Sequence, residues 1–176
     1  YVAAAGEPGS RALLEQMHTA FPAAETNVIY GMTETGRTGL LSTRDPRAGM
    51  GGCGVPLPHV ETRLVPIPCI SPPTGELLVR GPTVMLGYLQ EDGTYAGLDA
   101  EGFVHTGDMM RPDPDGCLLH LGRMDGLVKV GGLMVNPREV EQALQALPGV
   151  ADAMCWAEPH DMLGHAITAM VVPEPG

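Results

Sequence analysis

Side chains suited to phosphate and sugar chemistry stand at separate points of this 176-residue chain. Thr33 and Glu34 place a hydroxyl donor beside a carboxylate, which is a hard oxygen ligand of the kind Mg²⁺ prefers. Asp108 can accept hydrogen bonds from both hydroxyls of a ribose, and Arg123 carries a planar fork of donors for ribose and phosphate oxygens. Each residue alone also fits a plainer role, as a turn residue or a surface salt-bridge partner.

The motifs around these residues and their order along the chain favour the chemical interpretation. They are Tyr30-Gly31-Met32-Thr33-Glu34, His105-Thr106-Gly107-Asp108, Gly122-Arg123-Met124-Asp125-Gly126-Leu127-Val128-Lys129-Val130-Gly131-Gly132 and Asn136-Pro137-Arg138-Glu139-Val140-Glu141. In this order they resemble the nucleotide-binding and hinge region of the adenylate-forming (AMP-binding) enzymes, especially the acyl- and aryl-CoA synthetases. The resemblance extends over the whole chain and covers the C-terminal part of the large domain and the start of the small C-terminal domain.

The resemblance implies roles for individual residues around one AMP. Thr33 would donate a hydrogen bond to the α-phosphate, and Glu34 would hold Mg²⁺. Asp108 would bind the ribose, and Arg123 would reach the same nucleotide. The remaining residues that the resemblance assigns to nucleotide binding are Gly6, Glu7, Pro8, Tyr30, Gly31 and Met32.

The same resemblance implies a moving C-terminal part. Asp125 corresponds to a hinge that rotates between adenylate formation and transfer of the acyl group to a thiol. Lys129 is a catalytic candidate, because it matches a lysine that approaches the nucleotide or the acyl group. Gly131 and Gly132 would let a pantetheine arm pass the backbone without obstruction. A plain glycine turn between two strands explains that pair almost as well.

The activity implied is ATP-dependent ligation of a carboxylic acid to a thiol, through acyl-AMP and with release of pyrophosphate. Coenzyme A is the favoured acceptor. The alternatives are an amino-acid- or aryl-acid-activating adenylation domain that loads the phosphopantetheine thiol of a carrier protein, and a degenerate nucleotide-binding or scaffold module without turnover. The phosphate loop and the late catalytic lysine of complete family members have no counterpart, so we expect this segment to be inactive alone.

Composition narrows the class of protein. Ten Lys and Arg against 21 Asp and Glu give a net charge of −11, which opposes binding to nucleic-acid backbones or anionic membranes. A hydrophobic fraction of 44% with 18% charged residues is typical of a globular protein. No apolar run approaches the roughly 18 to 20 residues that span a bilayer. We therefore predict a cytoplasmic protein without nucleic-acid or membrane partners.

Hydrophobic patterning predicts an α/β fold whose first part is the end of a parallel-sheet subdomain. A strand at 1–5, a helix opened by Ser10 and a strand at 26–30 follow one another closely, which predicts a parallel pair. Strands at 61–65, 76–80 and 117–121 predict a small antiparallel sheet or distorted barrel. The glycine-rich residues 49–54 are rejected as a phosphate loop because no strand precedes them.

The last part of the chain predicts a partial α+β C-terminal subdomain. A strand at 127–130 is followed by a helix whose cap and first position are Asn136 and Pro137. Strands near 150–156 and 166–172 complete it, and Pro159 and Gly164 are interpreted as a loop between them. The predicted domains are residues 1–123 and 124–176, with the hinge near Asp125.

Overall fold

The computed structural model describes residues 1–6, 11–68 and 70–174, so Glu7, Pro8 and Ser10 lie outside the described residues. The described helices are α1 (Arg11–Ala20) and α2 (Pro137–Gln145), with 3₁₀-helices at Pro46–Met50 and Met124–Gly126. The described strands are β1 (Val2–Ala5), β2 (Thr26–Met32), β3 (Gly36–Ser42), β4 (Gly52–Pro56), β5 (Glu61–Pro66), β6 (Gly75–Arg80), β7 (Tyr88–Leu89), β8 (Tyr95–Ala96), β9 (Val104–Pro112), β10 (Leu118–Arg123), β11 (Val128–Val130), β12 (Leu133–Val135), β13 (Val150–His160) and β14 (Gly164–Pro173).

Eight of the described strands form one sheet in the order β1-β2-β3-β4-β10-β9-β6-β5. β1 and β2 are parallel, with Val2 opposite Thr26, and the other neighbouring pairs are antiparallel. β4 pairs with β3 on one side and with β10 on the other. The predicted α/β class is confirmed, and the predicted parallel pair and antiparallel sheet are joined through β4.

The first hydrophobic cluster fastens α1 to the parallel end of the sheet. Leu14 and Met17 stand three positions apart on one face of α1 and are 5% and 9% exposed. They belong to one cluster with Val28 of β2 and Leu41 of β3. Each large aliphatic side chain buried in this way contributes roughly 1.5 to 3 kcal/mol. The crossover helix therefore fixes the edge at which β2 ends.

The second hydrophobic cluster lies under the antiparallel half of the sheet. Leu77 and Val79 of β6 and Met110 of β9 are completely buried, and Leu118 of β10 joins them. Side chains alternate between the two faces of a strand, and because Met109 and Met110 are both buried, β9 is covered on both faces at this point. This packing holds the middle of β9 and β10 in place.

The part of the chain after Arg123 forms two separate hairpins, β11–β12 and β13–β14, with α2 against β13. Asn136 caps α2, because its side-chain oxygen accepts a hydrogen bond from the backbone N–H of Arg138 at 3.0 Å, and Pro137 occupies the first turn. The predicted opening of this helix is thus present. Among the described residues beyond Arg123, Ala153 is the buried hydrophobic one.

The predicted loop between the last two strands is wrong in its extent. Pro159 lies within β13 opposite His165, and Gly164 begins β14, so the turn is reduced to residues 161–163. Proline lacks a backbone N–H, but a two-stranded sheet leaves one side of each strand without a ladder, where proline is tolerated.

No helix in the described ranges combines the length and apolar character required to cross a membrane.

Candidate active site

The backbone around Asp108 is held by side chains of its own strand and of β6. The Thr106 hydroxyl donates to the carbonyl of Leu77 at 2.7 Å and accepts from the N–H of Asp108 at 3.1 Å. Glu76 accepts a hydrogen bond from the N–H of Gly107 at 3.2 Å. Gly107 has φ +71, which only glycine adopts freely. Asp108 is therefore fixed in position by the fold itself.

A β-bulge brings two further side chains to Asp108. In the β9–β10 ladder Arg123 is opposite Asp108 and His120 is opposite Met110, and the register shifts at Leu121 between them. Two residues three positions apart in a regular strand face opposite sides of the sheet. A bulge adds one residue and redirects the side chains that follow it. As a result, His120 and Arg123 both lie against the Asp108 carboxylate.

The Asp108 side chain is only 9% exposed and contacts three donors. The Tyr30 hydroxyl donates to Oδ2 at 2.6 Å, whereas Arg123 Nη1 and His120 Nε2 lie 3.4 Å and 3.5 Å from Oδ1. Burial tends to raise the pKa of Asp108, but His120, Tyr30 and Arg123 together lower it below its ordinary value. Burial, followed by the charge of Asp108, raises the pKa of Tyr30. At neutral pH an ionised carboxylate therefore faces a protonated phenol.

A cleft of about 750 Å³ opens beside this carboxylate. Its volume falls within the roughly 300 to 1,000 Å³ of typical small-molecule sites. Arg123 reaches the cleft with a side chain that is 51% exposed. The predicted nucleotide contacts that line the cleft are Gly6, Tyr30, Gly31, Met32, Asp108 and Arg123.

Thr33 and Glu34 lie in the turn that follows β2, directly after Met32, and they are not among the residues that line the cleft. Glu34 Oε1 accepts a hydrogen bond from the Tyr88 hydroxyl at 2.8 Å, and the Glu34 carbonyl accepts one from the N–H of Met85 at 2.8 Å. No group of three or more metal-ligating side chains exists among the described residues. A single carboxylate still suits Mg²⁺, which usually takes one or two carboxylates and completes its shell with phosphate oxygens and water.

The residues predicted to serve the thiol step lie away from the cleft. Lys129 is exposed on β11, and Gly131 and Gly132 form the turn between β11 and β12. The N–H of Gly131 donates to the carbonyl of Leu163 at 2.9 Å, which ties this turn to the β13–β14 turn. The structure therefore brings together six of the predicted nucleotide contacts, Gly6, Tyr30, Gly31, Met32, Asp108 and Arg123, but neither Thr33 nor the predicted thiol passage lines the cleft.

The predicted hinge residue Asp125 lies in the 3₁₀-helix Met124–Gly126. Its carboxylate accepts a hydrogen bond from Arg123 Nε at 3.2 Å. Because Arg123 also contacts Asp108, one guanidinium connects the cleft to the proposed hinge. The domain boundary near this helix stays a prediction.

Several residues of the cleft wall were not predicted. Gly51 and Gly52, from the glycine-rich residues 49–54, line it, and Gly52 begins β4, which is followed by β5. His120 also lines it, next to the β-bulge that Gly122 marks in the sequence. The N-cap and the first turn of α2 also line it, through Asn136, Pro137 and Arg138.

Comparison with known protein families shows which family the chain matches. The AMP-binding enzyme family matches residues 1–89, and the AMP-binding enzyme C-terminal domain matches residues 139–176. The chain belongs to the AMP-binding enzyme family. The resemblance inferred from the motifs is thereby confirmed.

Similar AMP-binding enzymes include two curated CoA ligases. A methyl-dioxo-octahydroindenyl-propanoyl:CoA ligase of Mycobacterium tuberculosis is 36% identical over 93% of this chain and 32% of its own length. The 4-coumarate–CoA ligase-like 6 of Oryza sativa subsp. japonica is 33% identical over 97% of this chain and 30% of its own length. This chain therefore spans about a third of the length of these relatives.

A solved structure of the family has the same fold. The ATP-bound MatB of Rhodopseudomonas palustris superposes with a TM-score of 0.75 at 30% sequence identity. The match covers 98% of this chain and 35% of MatB. The described architecture is thus that of an AMP-binding enzyme over almost its whole extent.

Proposed function

We propose that the cleft binds the AMP portion of an acyl-adenylate in an ATP-dependent carboxylic acid–CoA ligase. In the first step a carboxylate oxygen bonds to the α-phosphorus of ATP, and the bond from that phosphorus to pyrophosphate breaks. In the second step the thiol sulfur of coenzyme A bonds to the acyl carbon, AMP leaves with the former carboxylate oxygen, and the thiol loses its proton. Both steps require the same nucleotide to remain bound.

The environment of Asp108 carries this proposal. An ionised carboxylate only accepts hydrogen bonds, and a ribose offers two adjacent hydroxyl donors. Tyr30 and Arg123 approach different oxygens of Asp108, which orients the carboxylate while the cleft stays open beside it. The exposed part of the Arg123 guanidinium can reach phosphate oxygens.

The roles of the turn after β2 follow from its proximity to the cleft. Met32 lines the cleft, and Thr33 follows it directly in the chain. The hydroxyl of Thr33 would donate a hydrogen bond to the α-phosphate of the nucleotide. Glu34 would hold Mg²⁺ through the oxygen that Tyr88 does not occupy. The bound Mg²⁺ would neutralise phosphate charge.

The thiol step is assigned to the C-terminal part. Rotation near Asp125 would bring Lys129, Gly131 and Gly132 from their exposed positions toward the cleft. The placement of Asp125 in a short 3₁₀-helix followed by Leu127 supports this role, since hinges are a few residues between packed elements. Coenzyme A is the proposed acceptor because the relatives are CoA ligases. A carrier protein and a cytoplasmic location remain part of the prediction from sequence.

Titration calorimetry with AMP tests the proposal on the chain and on Asp108→Ala. A hydrogen bond to a charged group contributes about 1.5 to 3 kcal/mol, so the variant should bind AMP roughly 10- to 100-fold more weakly. The control is Asp161→Ala, which removes an exposed carboxylate from the β13–β14 turn. Absence of AMP heats in both the chain and Asp108→Ala would favour a scaffold without nucleotide binding, and equal non-zero heats would show that AMP binds without Asp108.

Exchange of labelled pyrophosphate into ATP tests the ligase reaction itself. The exchange is measured on a protein that carries the complete sequence, because we expect this segment to be inactive alone. Exchange that depends on an added carboxylic acid and is lost in Asp108→Ala supports acyl-AMP formation. Binding of AMP without such exchange, in a protein that carries the complete sequence, would instead favour a nucleotide-binding module.

A further inference from the structure

His120 is a cleft residue that the proposed reaction does not use. Its side chain is 13% exposed, and its Nε2 lies 3.5 Å from Oδ1 of Asp108. Its ring centre is 6.3 Å from that of Tyr30, with the two planes tilted by 37°. Its Nδ1 is buried and has no hydrogen-bond partner among the described residues. Among the described residues, the ring therefore has a polar partner at Nε2, which faces Asp108, and none at Nδ1.

The surroundings of His120 select its tautomer. A buried N–H without an acceptor is costly, so a hydrogen on Nδ1 is disfavoured. The neutral ring then carries its hydrogen on Nε2, the atom that faces the carboxylate. His120 is thus a donor toward Oδ1, and hydrogen bonds in a ligand-free site commonly shorten when a ligand binds.

His120 differs from the other donor to Oδ1 in how firmly it is held. Arg123 is half exposed and is shared with Asp125 in the proposed hinge. A turn of that hinge changes the position of Arg123. His120 lies within β10, opposite Met110 of β9, and its backbone N–H donates to the carbonyl of Gly51 at 2.9 Å, so it moves with the sheet. His120 is therefore the donor that stays beside Oδ1 of Asp108 when the proposed hinge rotates.

We propose that His120 is a positioning residue that holds the Asp108 carboxylate for the two ribose hydroxyls, so that the site discriminates ribonucleotides from deoxynucleotides. The terminal torsion of an aspartate is broad, and Tyr30 alone fixes only Oδ2. A second donor at Oδ1 stops the carboxylate from rotating away from the sugar. This inference rests on the proposed AMP site.

The test compares AMP with 2′,3′-dideoxy-AMP by titration calorimetry on the chain, His120→Leu and His120→Gln. We expect His120→Leu to weaken the binding of AMP about tenfold and the binding of the dideoxy nucleotide less than about twofold. Only AMP has the hydroxyls from which Asp108 accepts hydrogen bonds. Glutamine carries an amide N–H at a similar reach and should restore most of the preference for AMP. The matched control is His59→Leu, an exposed histidine before β5.

Circular dichroism melting shows whether each variant folds. If His120→Leu is unfolded, His120→Asn replaces it, because its shorter amide does not extend to Asp108. An equal loss for both nucleotides, or a full preference for AMP without a donor at position 120, overturns the positioning role. If Asp108→Ala binds AMP as the chain does, the proposed function fails first. If Asp108→Ala weakens AMP while His120→Leu keeps the preference, only the role of His120 fails.

Discussion

The sheet region up to Arg123 and the part that follows it are stabilised in different ways. The sheet contains two clusters of buried hydrophobic side chains, and Leu77 and Met110 are completely buried. Beyond Arg123, Ala153 is the buried hydrophobic residue in the described part of the chain. The second region is connected to the first by polar contacts such as that of Asn136 with the carbonyl of Leu121 at 2.6 Å.

This difference separates the two sets of candidate site residues. Asp108 is fixed by strands that pack on a core, so its orientation precedes ligand binding. Lys129 lies on a short exposed hairpin, and its position depends on how the second region is oriented. The cleft wall on the sheet is suited to holding a nucleotide throughout a reaction, and the hairpin is suited to movement.

Cysteine labelling gives the largest expected contrast between the regions. Burial raises the pKa of Cys53, on β4, to about 12 from 9.0. That shift lowers its thiolate fraction on the order of a thousandfold. Cys155 of β13 is half-buried, and although burial and Glu141 raise its pKa as well, it should react first with iodoacetamide at pH 8. Mass spectrometry of peptides measures both rates, and equal rates in the folded protein would remove the contrast.

A matched pair of leucine truncations tests the difference in packing. Leu77→Ala removes a fully buried side chain and should lower the free energy of unfolding by about 2 to 5 kcal/mol. Leu133→Ala removes one that is 72% exposed and should change it by less than about 0.5 kcal/mol. Urea denaturation followed by circular dichroism compares them. A loss of similar size for Leu133→Ala would mean that the second region has a core of its own.

Two cation truncations compare the cleft with the hairpin. Arg123→Ala should weaken AMP binding about tenfold, because a charged donor to the nucleotide is lost. Lys129→Ala should leave AMP affinity unchanged, since Lys129 does not line the cleft. Calorimetry measures the AMP affinity of both variants. The affinity of Arg123→Lys should lie between them, because lysine keeps the charge but not the planar fork. An equal loss for Lys129→Ala would place the hairpin at the nucleotide in solution.

Substitution of Asn136 should have the smallest effect. Asn136→Ala removes the cap of α2 and the contact with Leu121, and a lost cap costs about 1 kcal/mol. Hydrogen exchange at the amides of α2 should therefore rise about fivefold. Asn136→Asp keeps the capping oxygen and loses only the donor to Leu121, so its exchange should rise less. If both variants exchange equally fast, the cap does not contribute.

Elements with a clear local pattern could be predicted from the sequence. The strands at β1 and β2 and the helix between them were expected from short apolar runs and helical spacing, and their parallel pairing is confirmed. Asn136 and Pro137 marked the start of α2 correctly. The predicted Asp108 and Arg123 line one cleft and face each other across the ladder, although they are fifteen residues apart.

Features that depend on distant neighbours could not be predicted. β9 contains Gly107 and Asp108, both typical of turns, and it forms a strand because β6 and β10 pair with it on either side. β3 contains Gly36 and Gly39 and lacks a clean alternation of apolar residues. Gly122 is the local signal of the β-bulge at Leu121, since an isolated glycine in a strand often marks a bulge, but it does not show that the bulge turns His120 toward Asp108.

The shared guanidinium of Arg123 has a thermodynamic consequence. Arg123 donates to Asp108 beside the proposed sugar site and to Asp125 in the proposed hinge, so a movement that changes one contact would alter the other. Linkage requires such an influence to act equally in both directions. A ligand that favours one angle of the joint by some factor is itself bound more tightly at that angle by the same factor. In the proposed enzyme, release of the product and rotation of the C-terminal part would then be coupled, because both change the contacts of Arg123.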